Sequence, residues 1–262
     1  MRRQRWQFLA VGLTVVIGVM MFAATYDSYR NLTASYEQTY ERLAFADMTI
    51  AGGADGMATE IEAISGVATV TVRHTADLPV TVGTSTLLGR LVGTPADDQP
   101  GVNKIDIEEG TYISSSVDFD AAAEVHVART FDITIGDEFT VEVGPKQTFT
   151  VTGIAASAEY IWPAASTQEI FPDPEQFGVF FVDESLVSQL PDNVSVRETL
   201  VLYDQDIGAT DVDARVHDVA SQAGATSIVN RADHPSASTL QLDVDGFGAM
   251  SIAFPALFLL AA

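Results

Sequence analysis

The sequence contains no cysteine, which excludes disulfide bonds, thiolate nucleophiles and cysteine-ligated metal or iron–sulfur sites. Basic residues are also scarce: 13 Lys and Arg stand against 36 Asp and Glu, and Lys104 and Lys146 are the only lysines. The formal charge of −23 at pH 7 excludes general binding of nucleic acids, because phosphate groups repel such a surface.

This acidity has more than one interpretation. A solvated acidic surface keeps a protein soluble, and a genome that prefers Asp over Lys gives the same bias. Adaptation to high salt explains both the many carboxylates and the near absence of lysine, since salt screens the repulsion between them. We therefore expect a halophilic protein.

Motifs for catalysis and cofactor binding are missing as well. The chain has no G-x-x-x-x-G-K-[ST] phosphate-binding loop, no H-E-x-x-H pair among its four histidines, and no G-x-S-x-G around Ser114–Ser116. The acidic segment Asp204–Gly208 is similar to a calcium loop, but its glycine comes one residue early and its twelfth position is Arg215. We expect no enzyme activity, no cofactor and no metal site.

The N-terminus has the signature of a membrane helix. Arg2, Arg3 and Arg5 precede Trp6–Tyr26, a run of 21 residues without a charged side chain. As a helix this run measures roughly 31 Å, which matches the hydrocarbon thickness of a bilayer. The three arginines place the N-terminus in the cytoplasm. A cleaved signal peptide is the alternative, but no convincing A-x-A cleavage site follows the apolar run.

The C-terminal residues 246–262 form a second uncharged run of seventeen residues. A buried core helix is one interpretation, and a second membrane span that is cut short is the other. We expect the span, so that residues 27–245 lie outside the cytoplasm. The sequons at Asn31 and Asn193 become usable for glycosylation only in that compartment.

A helical stripe follows the first apolar run. Its spacing of three and four residues predicts that the membrane helix continues outward as an amphipathic stalk, although a helix packed on its own domain has the same pattern. The members of the stripe are Tyr26, Tyr29, Thr33, Tyr36, Tyr40 and Leu43.

The remaining signals predict an α+β fold with a mixed α/β part that is interrupted by a β-rich insertion. The predicted hairpin at residues 138–154, with alternating apolar residues on both sides of Gly144-Pro145, is the clearest element of the insertion. The predicted organisation is a membrane helix over 1–26, a stalk over 27–45, an α/β part over 46–74 and 177–245, the insertion over 75–176, and the start of a second membrane helix over 246–262.

The chain resembles the N-terminal part of an FtsX/MacB-like ABC transporter permease. The resemblance covers nearly the full chain and depends on three stretches in the family's order and spacing. They are the hairpin of Gly136–Val141 with Phe149–Ile154, the strand Phe177–Val182 followed by Asp183, and Asp245–Phe247 leading into the apolar run Phe254–Leu260.

The resemblance implies a permease that works as a dimer in the bilayer with a separate cytoplasmic ABC-type ATPase. Its stalk, including Tyr26, Tyr29, Tyr36, Tyr40 and Leu43, would then couple the membrane helices to an extracytoplasmic domain. The chain departs from the family pattern because it ends inside the second helix. The alternative is a membrane-anchored extracytoplasmic binding or sensor domain without an ATPase partner.

Overall fold

A computed structural model describes residues 2–142, 145–166, 173–204 and 209–260. The chain divides into two compact units: a helical unit of residues 1–40 with 238–262, and a core unit of residues 41–237. The helices of the described residues are α1 (Arg2–Arg42), α2 (Met57–Glu62), α3 (Val125–Thr130), α4 (Glu184–Ser188), α5 (Ala209–Gln222) and α6 (Pro235–Leu260). The strands are β1 (Met48–Gly52), β2 (Val67–Val82), β3 (Ser85–Thr94), β4 (Ile105–Gly110), β5 (Asp120–Glu124), β6 (Glu138–Glu142), β7 (Lys146–Ser157), β8 (Phe177–Asp183), β9 (Ser195–Tyr203) and β10 (Ala225–Asn230). The predicted α+β fold class is confirmed.

Helix α1 runs without a break for 41 residues, about 60 Å at the rise of an α-helix. Large apolar side chains in its first half are exposed, among them Phe8, Leu13 and Met20. Among the described residues one helix, Val11–Arg42, is long and apolar enough to cross a membrane. A core helix of a soluble protein would be mostly buried, whereas the apolar first half of α1 is exposed.

The first part of the core unit is an antiparallel layer in the strand order β10-β1-β9-β2. Helices α2 and α5 cover one face of this layer, and their apolar stripes bury against the strands. The shared core includes Ile50, Ile61, Val201 and Val216, all of which are fully buried. The core unit begins with a strand, a helix and a strand, which are β1, α2 and β2.

The second part of the core unit is a closed ring of six strands. Strand β2 pairs with β3, β3 with β8, β8 with β5, β5 with β7, β7 with β6, and β6 pairs with β2 again. Along β2 the buried residues Ala76, Leu78 and Val80 alternate with exposed ones, so that one face of the strand lines the inside of the ring. The predicted hairpin is present as β6 and β7, although Val143 and Gly144 lie outside the described residues.

The strand pairings cross two of the predicted boundaries. The prediction puts β8 with the α/β part over 177–245, whereas the strand pairs with β3 and β5 inside the ring. It is apolar throughout because both of its faces are covered: Phe180 and Val182 face the ring's interior, and Phe181 belongs to a second buried cluster. Strand β2 also crosses the predicted boundary at residue 74, because its first half pairs with β9 and its second half with β3 and β6.

Candidate functional site

The two segments of the core unit that connect to α1 and α6 are tied to each other. The Arg231 guanidinium donates hydrogen bonds to the carbonyl oxygens of Phe45 and Ala46, the latter at 3.1 Å, and forms an ion pair with Asp47 at 2.8 Å. The backbone N–H of Arg231 donates to the carbonyl oxygen of Asp47 at 2.9 Å. We call residues 43–47 together with 231–234 the clasp.

A third segment holds the clasp from the side of β4. The backbone N–H groups of Asn103 and Lys104 donate to the carbonyl oxygens of Ala44 and Leu43, at 2.9 and 2.8 Å. These carbonyls directly follow the last turn of α1, where the intrahelical hydrogen bonds run out. The Asn103 side-chain oxygen accepts a hydrogen bond from the N–H of Ala46 at 2.7 Å. The chain that leaves α1 is therefore fixed by hydrogen bonds on two sides.

Next to the clasp lies a buried ionic network. Arg73 on β2 forms a two-pronged pair with Glu159, with Nη1–Oε2 at 2.8 Å and Nη2–Oε1 at 2.5 Å. Arg73 also donates from Nε to Glu198, its cross-strand neighbour on β9, at 2.9 Å. The side chains of Arg73 and Glu159 are only 6% and 4% exposed. Such a pair carries a large desolvation cost that only close geometry offsets.

Glu159 is the residue that joins this network to the clasp. Its Oε2 accepts a hydrogen bond from the side-chain amide of Asn103 at 3.0 Å, and Asn103 in turn holds Ala46. The Nε2 of His234 lies 3.7 Å from Glu159 Oε1, and the edge of the His234 ring packs on Phe45 with centroids 5.4 Å apart. Glu159 therefore meets the 231–234 segment at His234 and is linked to the 43–47 segment through Asn103.

Glu159 and Arg73 each keep their charge over the physiological pH range. Burial alone would raise the pKa of Glu159, but the adjacent Arg73 guanidinium and His234 hold it well below its usual range. Burial would likewise lower the pKa of Arg73, but Glu159 and Glu198 raise it well above its ordinary value. An ionised guanidinium thus faces two carboxylates in the interior of the core unit.

The position of Glu159 connects the clasp to both parts of the core unit. It lies in the 3₁₀ turn Ala158–Tyr160 that directly follows β7, a strand of the ring. Its partners Arg73 and Glu198 belong to the layer strands β2 and β9. A displacement of the clasp would therefore act on the layer and the ring together, because rigid hydrogen-bonded elements transmit such a change.

In the helical unit, α1 and α6 pack against each other in opposite directions. A Cβ atom added at Gly248 would lie 3.2 Å from the ring of Tyr29, so the two helices approach closely there. Farther along α1, burial and then the charge of Asp243 raise the pKa of Tyr36. Tyr29 lies against Gly248, and Tyr36, later along α1, lies near Asp243, which comes earlier along α6. The two helices are therefore antiparallel.

The predicted stalk stripe is only partly aligned with this packing face. Tyr29, Thr33, Tyr36 and Tyr40 are half-buried, and Leu43 is buried in the core unit. Tyr26 is 43% exposed, so it lies off the stripe, where the less exposed Thr25 takes its place. The reason is the drift of a 3.6-residue helix against a strict three–four spacing.

The other predicted site residues lie apart from the clasp. The backbone of Arg2, Arg3 and Arg5 is part of α1, but their side chains lie outside the described residues. The sequon residues Asn31 and Asn193 are exposed, Asn31 on α1 and Asn193 in the loop before β9. Of the segment similar to a calcium loop, Asp204 is described and residues 205–208 are not.

Within the described ranges no group of three His, Asp or Glu side chains is placed to hold a metal ion. Two histidine–carboxylate pairs lie elsewhere in the core unit. His74 Nδ1 is 2.6 Å from Glu184, and His126 Nδ1 is 2.8 Å from Glu124, whose carboxylate also accepts the backbone N–H of His126 in the first turn of α3. These contacts link β2 to α4 and cap a short helix, which are structural roles.

Few sequence patterns predict the buried network of Arg73, Glu159 and Glu198. Arg73 was the one usable signal, because a lone basic residue in the apolar run of β2 needs a buried partner. Glu159 lies in a short 3₁₀ turn and Asn103 in a loop, and such segments have no periodicity from which burial could be predicted. Their partners come from positions 56 to 86 residues away in the chain.

No family model matches this chain. No curated protein matches it either. Among solved structures, it is similar to the periplasmic region of MacB from Actinobacillus actinomycetemcomitans, with 12% identity and a TM-score of 0.45, over 80% of this chain and 98% of that one. It is also similar to the extracellular domain of the noncanonic ABC-type transporter YknZ from Gram-positive bacteria, with 11% identity and a TM-score of 0.43, over 69% of this chain and 90% of that one.

Proposed function

We propose that this chain is a non-enzymatic, FtsX/MacB-like permease subunit of an ABC transporter. In this function, ATP hydrolysis by a separate cytoplasmic ATPase drives a change in the extracytoplasmic domain, for export, for the handling of lipids or lipoproteins, or for signalling. The observation that carries the proposal is the clasp, in which the segments that connect the core unit to α1 and α6 are tied to one buried ionic network.

The clasp supports coupling for a mechanical reason. If the two helices were only an anchor, their connections could be flexible linkers rich in Gly, Ser or Pro. Instead, segments 43–47 and 231–234 are held by an ion pair, by several backbone hydrogen bonds and by Glu159. A rigid connection passes a helix displacement into the core unit, which is what a transporter needs from a subunit without an ATP site.

The membrane arrangement belongs to the same proposal. The basic residues Arg2, Arg3 and Arg5 favour a cytoplasmic N-terminus, and the exposed apolar half of α1 requires a bilayer around it. The apolar part of α6, over residues 246–260, would return to the membrane as a second span of a multi-pass protein. Residues 27–245 would then be extracytoplasmic, and the permease would work as a dimer with itself or with a related subunit.

A membrane-anchored binding or sensor domain without an ATPase is the second candidate. A cavity of about 400 Å³ in the ring, beside the turn of Gly83 and Thr84 between β2 and β3, favours it because a sensor needs a place for its ligand. The two candidates differ in one respect that can be measured. The permease requires a nucleotide-dependent partner at the cytoplasmic side, whereas the sensor does not.

Purification of the tagged chain from its native membranes tests the proposal. We expect an ABC-type ATPase to co-purify, and we expect the purified assembly to hydrolyse ATP in a vanadate-sensitive manner. An assembly without any ATPase, from membranes solubilised gently enough to keep other transporters intact, would favour the anchored sensor.

A further inference from the structure

The strand order of the described residues ends at β10 on one side and at β4 on the other. Each of these strands pairs with one neighbour, β10 with β1 and β4 with β7. Their outer edges therefore carry backbone N–H and C=O groups that no strand of the described ranges uses. Such an edge can pair with a strand of another chain, and proteins commonly prevent this with charged side chains or bulges.

The two edges differ in this protection. Strand β4 contains three acidic residues, and a bulge follows Ile107. Strand β10 contains no charged residue, and its bulge lies only at its first residues, opposite Gly52. The charge-free segment extends over residues 219–230, in a chain with 36 Asp and Glu. Strand β4 is therefore protected against pairing with another chain, and β10 is not.

The ladder with β1 shows which backbone groups of β10 face outward. The N–H of Arg231 donates to the carbonyl oxygen of Asp47 at 2.9 Å, so it points toward β1. A planar trans peptide directs its C=O opposite to its N–H, and the C=O of Asn230 therefore points away from β1. Directions alternate along a strand, so the N–H and C=O groups of Ile228 and Asn230 face outward and those of Val229 face β1.

Two copies of this edge fit each other about a two-fold axis at Val229. Antiparallel pairing there sets Ile228 of one copy opposite Asn230 of the other, and each such pair exchanges backbone hydrogen bonds in both directions. The two Val229 side chains then face each other, with Cα atoms roughly 4.5 Å apart. No like charges of β10 are brought together, whereas two copies of β4 would oppose their carboxylates.

The short edge and the charge of the chain indicate which partner fits. Six residues offer too little contact for a stable dimer in solution, where specific interfaces bury roughly 1,200–2,000 Å². Chains anchored in one membrane meet at a much higher effective concentration, which favours another membrane-bound chain. Two copies with a charge of −23 repel each other at their acidic surfaces, and the charge-free edge lets them meet without opposing carboxylates.

We propose that β10 joins two copies of this chain by antiparallel edge-to-edge pairing, so that the layers of two core units form one continuous sheet. This inference rests on the proposed dimeric permease for the second copy, and it identifies the surface through which the core units meet. Arg231 of the clasp directly follows β10. A change in the clasp of one copy would therefore reach the other copy through the shared sheet.

Single cysteines in the full chain test this pairing, because the sequence contains none. In native membranes under mild oxidation, Val229→Cys should cross-link two copies, since a disulfide needs Cα atoms roughly 4.4–6.8 Å apart. Ser227→Cys, on the same face, should give about tenfold less dimer, because the two sites would be displaced by roughly 13 Å along the strands. Ile107→Cys, on the protected edge β4, should also stay monomeric.

A proline tests the backbone hydrogen bonds separately from the side chains. Asn230 has a φ of −74°, close to the value of about −65° that proline requires, and its side chain makes no capping hydrogen bond. Asn230→Pro removes an outward N–H and should reduce the cross-linking of Val229→Cys about fivefold or more. Asn230→Ala keeps the N–H and should leave the yield within about twofold. Both variants should keep the melting temperature of the parent, because this N–H is not part of the ladder with β1.

The outcomes separate this interface from the permease function. No cross-link at Val229→Cys, or equal yields at Val229→Cys, Ser227→Cys and Ile107→Cys, would overturn the interface. Equal yields in Asn230→Pro and Asn230→Ala would also overturn it, because contact would then occur without strand pairing. An ATPase that co-purifies with a chain that does not cross-link would overturn only the interface. A cross-linked dimer from membranes in which no ATPase co-purifies would support the interface and contradict the permease.

Discussion

Glu159 is the residue on which the proposed coupling depends most. Its carboxylate accepts hydrogen bonds from Arg73 and Asn103 and lies next to His234, so it joins the layer directly to the 231–234 segment of the clasp and, through Asn103, to the 43–47 segment. A buried pair of this kind adds little net stability, but removal of one partner leaves a charge in the interior without compensation. The cost of a substitution therefore shows how far the structure depends on this contact.

We predict that Glu159→Gln lowers the free energy of unfolding by roughly 3–5 kcal/mol. The matched control is Asp106→Asn, which removes an equally short pair with Arg42 whose side chains are 56% and 43% exposed. That variant should cost at most about 1 kcal/mol. Denaturant unfolding followed by tryptophan fluorescence measures the free energy of unfolding of both variants. Equal losses would mean that the buried network stabilises the fold no more than an exposed ion pair does.

The pH dependence of the same variant gives a second prediction. Because the pKa of Glu159 is lowered in the folded state, its contribution is complete above the ordinary glutamate pKa of about 4.3 and is lost as the pH falls through the folded value. The stability difference between the wild type and Glu159→Gln should stay constant from pH 7 to about 5. It should shrink below about pH 4, and a difference that shrinks already near neutral pH would contradict this assignment.

At the level of elements, the packing of α1 on α6 determines whether a displacement reaches the clasp. Tyr36 lies on the face of α1 near Asp243 of α6, whereas Tyr26 is exposed. Tyr36 and Tyr26 are therefore a matched pair on one helix, of which Tyr36 faces the partner helix and Tyr26 is exposed.

Tyr36→Asp should uncouple ATP hydrolysis from changes in the core unit in the complete transporter, while ATP binding stays intact. A carboxylate there would be desolvated and would face Asp243, which has the same charge. Tyr26→Asp, on the exposed face, should behave like the wild type. Protease protection of the core unit with and without nucleotide measures the effect, and identical protection patterns for the two variants would refute a role of this face.

The sequence predicts the elements whose signals are local in the chain, and it does not predict features that depend on pairing between distant segments. Periodic patterns are local, and they predict the hairpin of β6 and β7, whose strands pair along the chain with a short connection. The closure of the ring through β6 is a pairing between distant parts of the chain, and no local pattern encodes it. The pairing of β8 with ring strands could not be predicted for the same reason. Its apolar run is equally compatible with a buried strand of the layer.

The candidate site was predictable only in outline. The apolar run and the tyrosine stripe pointed to a helix that enters a folded domain, but the contacts of the clasp depend on Arg231, Asn103 and Glu159. These three residues come from separate loops or turns, and they meet only because the ring and the layer share β2. Tertiary packing, not propensity, decides such positions.

At the level of the whole molecule, the topology can be tested directly because the protein has no cysteine. A cysteine at Asp118, in the exposed loop before β5, should react with a membrane-impermeant thiol reagent on intact cells. A cysteine at Gln4, between the arginines of the N-terminus, should react only after the membrane is opened. Labelling of Gln4→Cys but not of Asp118→Cys on intact cells would reverse the topology.

The net charge of −23 leads to a prediction about salt. The charges repel one another over a Debye length of roughly 30 Å at 0.01 M salt and only about 3 Å at 1 M. The compact state suffers more from this repulsion than the unfolded chain does. We expect the melting temperature to be clearly higher in molar KCl than in dilute buffer, and a melting temperature independent of salt would contradict a halophilic protein.

Potassium sulfate at matched ionic strength is the control for this experiment. Excluded salts also strengthen apolar burial, so a rise caused by screening should be similar for the chloride and the sulfate. A rise seen only with sulfate would reflect exclusion and not the acidic composition.

Hydrogen exchange of the clasp in the transporter assembled with its ATPase in nanodiscs tests the proposed coupling most directly. The amide of Ala46 donates to the Asn103 side chain, and the amides of Asn103 and Arg231 donate to the carbonyl oxygens of Ala44 and Asp47. Their exchange reports whether the bonds that hold the clasp open. If the helices drive the core unit through the clasp, trapping of the ATPase with ATP and vanadate should change the exchange rates of these amides at least about twofold. Rates that are the same with and without nucleotide, in an assembly that hydrolyses ATP, would contradict coupling through the clasp.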